Sequence, residues 1–158
     1  MAKFIGGLIH NAERDAGPIH AIVLPEIALS EEIAEGVARN LARRHRDLEL
    51  FVTGIVMEAP NGQRNVAAQY SMVGGKVVIR VKQSKHHRWR LEEKQIRQYQ
   101  LGGVLDPSFN WWEQIDVFGR TIGFGTNRDD AVISALVCED LARYDPVLPV
   151  VPQWGRRW

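Results

Sequence analysis

Three side chains with complementary chemistry each follow a predicted strand in this chain. They are Glu26, Lys85 and Cys138, and Cys138 is the single cysteine among 158 residues. A thiol attacks a carbon centre once its proton has been removed, which a carboxylate can do, and an ammonium group stabilises the negative charge that then develops. Together the three residue types predict nucleophilic catalysis by cysteine, provided that the fold brings them to one place.

Each of these residues also has a purely structural interpretation. A lone cysteine after an apolar segment is commonly a small buried hydrophobe. Glu26 is compatible with an exposed strand end, and Lys85 lies in a basic and aromatic segment, residues 82–90, that is compatible with a solvated surface. Strand ends are nevertheless where open α/β sheets place their sites, because side chains leave the core there on a rigid backbone.

The elements that must position these residues include three predicted helices. Residues 2–14 carry apolar side chains near the helical period, and Gly17 with Pro18 should end that helix. Ser30 is a predicted N-cap for a second helix, which has an apolar stripe and ends at basic residues near position 45. A short third helix is predicted over residues 91–99.

The predicted strands alternate with these helices along the chain. Residues 20–24 read as a strand buried on both faces, and residues 131–137 as an apolar strand that leads into Cys138. Turn residues separate the other predicted strands, which cover 48–57, 65–73, 76–81, 115–118 and 120–124. This order of elements predicts the α/β class, with helices packed on a mixed β-sheet.

Composition narrows the class of protein. The 20 Lys and Arg residues nearly balance the 19 Asp and Glu residues, so the net charge of +1 gives no general attraction to nucleic acid or to anionic membranes. One cysteine cannot form a bridge within the chain, and no apolar run approaches the roughly 20 residues that span a bilayer. The sequence therefore predicts a cytoplasmic domain without a membrane partner, and no motif indicates a cofactor.

Three segments resemble, in the same order, the signature blocks of the nitrilase superfamily of carbon–nitrogen hydrolases. They are Val-Leu-Pro-Glu at 23–26, Lys-His-His at 85–87 and Leu-Val-Cys-Glu-Asp at 136–140. The resemblance extends over residues 4–146, which form the expected domain. Residues 85–99 also look like the version of this domain that is fused to some bacterial defence-type reverse transcriptases.

The resemblance implies a mechanism and a role for each residue. Cys138 would be the nucleophile, Glu26 the general base and Lys85 the cation that faces the oxyanion, and the substrate would be a small-molecule amide or nitrile that passes through a thioester. Many members use a second glutamate between the lysine and the cysteine. Glu92 and Glu93 are the candidates for it; Glu93 is favoured, and the spacing to the following glycines departs from the usual family pattern.

The chain also departs from the family pattern. The complete family domain is a longer αββα sandwich built from two related halves, whereas this chain begins inside the first helix and has 20 residues after Cys138. We therefore expect a partial nitrilase-type αββα sandwich that lacks part of the second half. Residues 147–158 are interpreted as an irregular, non-native tail, and the uncovered sheet or helix faces would favour a homo-oligomer.

Two functions remain open at this stage. The first is an amidohydrolase; the second is an inactive fragment or accessory module that binds a partner or single-stranded nucleic acid through residues 82–90. The near-neutral charge disfavours the nucleic-acid form of the second. A metal site that uses His86 and His87 is also disfavoured, because adjacent side chains point to opposite sides of an extended chain.

Overall fold

A computed structural model of the chain describes residues 1–117, 121–126 and 131–145. Within these residues the fold is mixed α/β, with four helices and a mixed β-sheet, as the order of predicted elements indicates. The helices are α1 (Ala2–Ala16), α2 (Glu31–Arg44), α3 (Glu93–Gln98) and α4 (Glu139–Ala142). The strands are β1 (Ala21–Val23), β2 (Leu29–Ser30), β3 (Leu50–Ala59), β4 (Gly62–Val73), β5 (Lys76–Ser84), β6 (Arg90–Leu91), β7 (Trp111–Trp112), β8 (Gly125–Thr126) and β9 (Val132–Ile133).

The main sheet has the order β1-β3-β4-β5, and β2 also pairs with β3. Strands β1 and β2 run parallel to β3, whereas β3, β4 and β5 form an antiparallel meander. The predicted hairpin around Gly74 and Gly75 is confirmed, and both glycines have the positive φ angles that a tight turn of this kind requires.

One face of this sheet is covered by helices α1 and α2. The Ser30 hydroxyl caps α2 by accepting a hydrogen bond from the Ile33 amide at 3.4 Å, as predicted. The apolar stripe of α2 is buried against Phe51 and Tyr70, whose rings stack with centroids 5.7 Å apart. Helix α1 completes the same core through Ile5 and Ile9.

The structure corrects two strand predictions. Strand β1 is not buried on both faces: it forms an edge that pairs with β3, and Val23 is 71 % exposed. Within residues 131–137, pairing is confined to Val132–Ile133, which contacts β8, while residues 134–137 lie across the sheet without strand pairing. An apolar run becomes a strand only where a neighbouring strand supplies hydrogen bonds.

The C-terminal predictions fall partly outside the described residues. The predicted hairpin over 115–124 turns at positions that are not described; of its described residues, Ile115 forms an isolated bridge to Gln63, and 121–124 contain no strand. The predicted tail, residues 147–158, and the end of the predicted domain at 146 also lie outside them. Among the helices that are described, none is long and apolar enough to cross a membrane.

Candidate active site

A bulge at the edge of the sheet carries Glu26. Strands β1 and β2 pair with the same strand, β3, and the chain between them stays bonded to it: the Gly54 amide donates to the Pro25 carbonyl at 3.1 Å, and the Ala28 amide donates to the Gly54 carbonyl at 3.0 Å. Ile27 takes a left-handed φ of 54° to complete the bulge. The Glu26 side chain is thereby held on a strained but well-bonded backbone.

Gly54 makes this bulge sterically possible. A Cβ atom at position 54 would lie 2.5 Å from both the Glu26 Cα and the Ile27 nitrogen, and 2.7 Å from the Pro25 oxygen. All three are backbone atoms, so the bulge would have to move to accept a side chain.

We expect Gly54→Ala to lower the free energy of unfolding by about 1–3 kcal/mol, as overpacking does, and to displace Glu26. Gly36→Ala is the matched control. A Cβ atom there meets nothing within 4 Å, and Gly36 lies inside α2, so this change should stabilise by about 1 kcal/mol. Denaturant unfolding measures both values, and a neutral Gly54→Ala would contradict the close approach.

Lys85 is buried next to Glu26. It follows β5 directly, its amide donates to the Asn65 carbonyl at 2.8 Å, and its side chain is 2 % exposed. The Lys85 Nζ donates to Glu26 Oε1 at 2.9 Å and to Glu113 Oε2 at 2.7 Å. A buried ammonium group is tolerated here because carboxylates on two sides balance its charge.

The second glutamate beside Lys85 is Glu113. Its Oε2 also accepts a hydrogen bond from the Trp89 amide at 3.0 Å, and its own amide donates to the Trp89 carbonyl at 2.8 Å. The structure does not bring Glu93, which was predicted for this role, to Lys85. Glu93 lies on the exposed side of α3, where its carboxylate pairs with Arg97 one helical turn later, at 2.7 Å.

Asn65 joins the two glutamates. The amide nitrogen of this buried side chain on β4 donates to Glu26 Oε1 at 2.5 Å and to Glu113 Oε1 at 3.2 Å. Each carboxylate therefore receives one bond from the Lys85 ammonium group and one from the Asn65 amide, and Glu113 receives a further bond from the Trp89 amide. These bonds restrict the orientation of both carboxylates.

Cys138 faces this cluster from the end of segment 133–138, directly before α4. It precedes α4 and has φ 45° and ψ −104°, an unusual conformation for a residue with a Cβ atom. Its exposed thiol interacts with the Glu26 carboxylate and with the Glu139 amide, and it feels the charge of Lys85. The structure thus brings Glu26, Lys85 and Cys138 together.

A cavity of about 300 Å³ opens beside Cys138 and Glu26. Segment 133–138 forms one of its walls, and the sheet face opposite the helices forms another. Its other lining residues are almost all apolar: Val23, Leu24, Leu50, Val52, Gly54, Ala67, Ile133, Ser134, Ala135, Leu136 and Val137. The space suits a small and mainly apolar group.

The surroundings determine the protonation of the cluster. Burial raises the pKa of the Glu26 carboxyl, but hydrogen bonds from Lys85 and Asn65 and the charge of Lys85 outweigh it, so this pKa lies below its usual value. Burial lowers the pKa of Lys85, but the hydrogen bonds that Lys85 donates to Glu113 and Glu26, together with their negative charges, reverse this effect and raise the pKa. At neutral pH, Glu26 is therefore a carboxylate and Lys85 an ammonium ion.

The pKa of the Cys138 thiol is shifted upward, whereas that of the Glu26 carboxyl beside it is shifted downward. Burial and the negative charge of Glu26 raise the pKa of Cys138, whereas the charge of Lys85 and the Glu139 amide oppose this rise without cancelling it. The resting pair is therefore a neutral thiol next to a carboxylate. This arrangement suits proton transfer to Glu26 during an attack rather than before it.

The basic segment 82–90 is largely engaged within the fold. Lys82 pairs with Glu31, Lys85 is buried, and the Arg88 Nε donates to the Ile115 carbonyl at 3.0 Å. His86 is buried with its Nε2 close to the Thr121 carbonyl, and His87 contacts Asp140. These contacts favour a structural role for the segment, in which the end of β5 and the loop from Lys85 to Trp89 hold Lys85 in place.

Sequence reasoning missed Glu113 and Asn65. The signal for Glu113 was its place among the few acidic residues between Lys85 and Cys138, just after Trp111 and Trp112. No sequence signal pointed to Asn65, because a single amide in a strand has no distinctive pattern. Comparisons of the chain with protein-family models, curated proteins and solved structures give no match.

Proposed function

We propose that this chain is a carbon–nitrogen hydrolase of the nitrilase superfamily type, which cleaves an amide or nitrile through a thioester on Cys138. The observation that carries this proposal is the convergence of a carboxylate, a buried ammonium group and an exposed thiol, with a second carboxylate behind the ammonium group. Each of these groups has a distinct task in acyl transfer from nitrogen.

In the proposed reaction, Glu26 removes the proton of the Cys138 thiol as the sulfur attacks the amide carbon. The carbonyl π electrons move to oxygen, where Lys85 and the Glu139 amide stabilise the negative charge. Lysine has three N–H donors, and the described bonds to Glu26 and Glu113 use two of them. The third is available for the oxyanion.

Collapse of this intermediate breaks the carbon–nitrogen bond. Glu26 returns its proton to the leaving nitrogen, so that ammonia or an amine departs and a thioester remains. Water, activated by the same carboxylate, then cleaves the thioester to release a carboxylic acid and restore the thiol. A nitrile reaches the same thioester once water has been added and ammonia has left.

The packing around the sheet supports the partial αββα sandwich as the fold of this chain. Helices α1 and α2 share one core on one sheet face, while segment 133–138 lies against the opposite face, next to Val52 and Ala67. In the proposed arrangement this segment belongs to the second β-layer. The exposed edge β1 and the exposed Phe4 and Leu8 of α1 are the faces on which we place a homo-oligomer contact.

The cavity supports a substrate class for the first assay. Its volume and apolar lining fit the acyl group of a short aliphatic amide or nitrile, and the carboxylates of Glu26 and Glu113 would repel an anionic one. We therefore propose short, uncharged amides and nitriles as substrates. The test is ammonia release from a panel of such compounds with matched anionic amides; no release from any member by folded protein would contradict the proposal.

Glu113 has a positioning task in this scheme, because it holds the Lys85 ammonium group through Oε2. We expect Glu113→Gln to lower kcat about 10- to 100-fold, since a misplaced oxyanion donor costs up to 10²–10³ when it is lost entirely. Glu93→Gln is the matched control and should leave kcat unchanged. A loss of kcat in Glu93→Gln but not in Glu113→Gln would return the second-glutamate role to α3.

A further inference from the structure

The carboxylate of Asp140 is fully buried and links the nucleophile segment to the lysine loop. Asp140 lies two residues after Cys138 and is 0 % exposed. Its Oδ1 accepts from the His86 amide at 3.1 Å and from the His87 amide at 3.0 Å, and its Oδ2 accepts from the His86 amide at 2.9 Å. The His87 Nδ1 lies 3.1 Å from Oδ1.

These bonds connect two short and otherwise separate pieces of backbone. On one side, the Asp140 amide donates to the Val137 carbonyl at 3.0 Å and the Leu141 amide to the Cys138 carbonyl at 3.1 Å, so Asp140 is fixed relative to the nucleophile. On the other side, His86 follows Lys85 directly. The linkage therefore reaches from the backbone of Cys138 to that of Lys85 through a single side chain.

Burial of a carboxylate is an energetically unfavourable way to hold two loops together. Taking a carboxylate out of water is strongly unfavourable unless hydrogen bonds replace its hydration, and an apolar residue could fill the same volume without that penalty. The bonds that Asp140 makes go mainly to peptide N–H groups, which fix backbone position with direction as well as distance.

We propose that Asp140 is a positioning residue that sets the Lys85 ammonium group relative to the Cys138 sulfur. This inference rests on the proposed function where turnover is concerned, but the geometry it describes has its own readout. The charged groups that face the Cys138 thiol are Glu26, from the β1–β2 bulge, and Lys85, from the end of β5, together with the Glu139 amide. Lys85 is the cation among them and favours the thiolate.

The experiment is the pH dependence of Cys138 alkylation by iodoacetamide. Both carboxylate oxygens of Asp140 face the His86 amide, so in Asp140→Asn the side-chain NH₂ group must face that N–H donor in either orientation. The loop therefore shifts, and Lys85 moves away from the sulfur. We expect the alkylation midpoint to rise by about one pH unit, because a nearby opposite charge shifts a pKa by 1–3 units. In a Lys85→Met background, Asp140→Asn should cause no rise in the midpoint, because the cation whose position it sets is absent.

This double-mutant cycle separates positioning from other roles. An unchanged midpoint in Asp140→Asn would overturn the proposal, and so would an equal shift in the Lys85→Met background. A fall in the midpoint would also overturn it, since loss of the Asp140 charge alone favours the thiolate. Asp106→Asn is the control, because Asp106 is an exposed carboxylate that accepts from the Ser108 amide at 2.9 Å.

A second variant covers the case in which Asp140→Asn does not fold. His87→Ala removes one side-chain contact and keeps the backbone bonds, so it should shift the midpoint in the same direction by a smaller amount, again only when Lys85 is present; no shift would count against the proposal. Alkylation needs no substrate. A protein that hydrolyses no amide but shows the Lys85-dependent shift of the midpoint would refute the proposed function and retain the positioning role. A protein that hydrolyses amides but shows no such shift would retain the proposed function and refute the positioning role.

Discussion

Cys138→Ala should abolish hydrolysis of any amide or nitrile on which the wild-type chain is active. Loss of the nucleophile in a hydrolase with a covalent intermediate costs up to about 10⁶ in kcat, which brings the rate to the background of the assay. The thiol is exposed, so the unfolding midpoint should change little. Ammonia release and thermal unfolding, measured on the same preparation, separate lost chemistry from lost structure.

Pretreatment with iodoacetamide provides an independent version of this experiment. The chain contains one cysteine, so Cys138 carries the only thiol that iodoacetamide can alkylate. We expect the alkylated wild type and Cys138→Ala to be equally inactive. Retention of more than a tenth of the wild-type rate by either protein would show that the thiol is not the nucleophile.

Glu26→Gln has the second-largest expected effect, and it should lower two observables, kcat and the pH midpoint of Cys138 alkylation. Removal of a general base costs about 10²–10⁴ in kcat. The same change removes the negative charge that raises the pKa of Cys138, so the alkylation midpoint should move to lower pH. A glutamine oxygen can still accept the bonds from Lys85 and Asn65, which limits the effect to proton transfer and charge.

The control for this variant is Glu58→Gln, which removes an exposed carboxylate from the neighbouring strand β3. It should alter neither kcat nor the alkylation midpoint. If Glu26→Gln lowered kcat but left the midpoint in place, the carboxylate would not face the thiol in solution. If it shifted the midpoint without a loss of kcat, Glu26 would not be the base.

The antiparallel meander and the second helix could be predicted from the sequence because their signals are local. Ser30 caps α2 within three residues, and Gly74 with Gly75 forms the turn between two alternating strands. The side chains of Glu26 and Lys85 meet for a topological reason. Strand β1 is parallel to β3, and β5, which is antiparallel to β4, runs in the same direction as both, so the C-terminal ends of β1 and β5 lie at the same end of the sheet.

The position of Glu113 depends on contacts that a local pattern does not contain. It is placed by the pairing of Arg90 and Leu91 with Trp112 and Trp111, which are about twenty residues away in the chain. Glu93 lies closer to Lys85 in sequence but on the solvent side of a short helix. The resemblance favoured Glu93, whereas the two-residue strand pair places Glu113 beside Lys85.

The apolar segment 131–137 shows that composition alone does not predict which residues pair as a strand. Its composition is equally suitable for a strand and for an irregular segment that packs against a sheet, and the choice depends on whether a partner strand is adjacent. Within the described residues, β8 supplies a partner for Val132 and Ile133 alone. Of this segment, Val137 is buried, whereas Val132 is 40 % exposed.

The most direct test of the central claim is to trap the covalent intermediate. A responsive short-chain amide is mixed with the protein, the reaction is stopped with acid at early times, and the intact mass is measured before and after treatment with hydroxylamine. We predict an added acyl mass on Cys138 that hydroxylamine removes as the hydroxamate, and no addition in Cys138→Ala. Ammonia release without any acyl adduct, or an adduct that persists in Cys138→Ala, would contradict the assignment of this cluster as a thioester-forming hydrolase site.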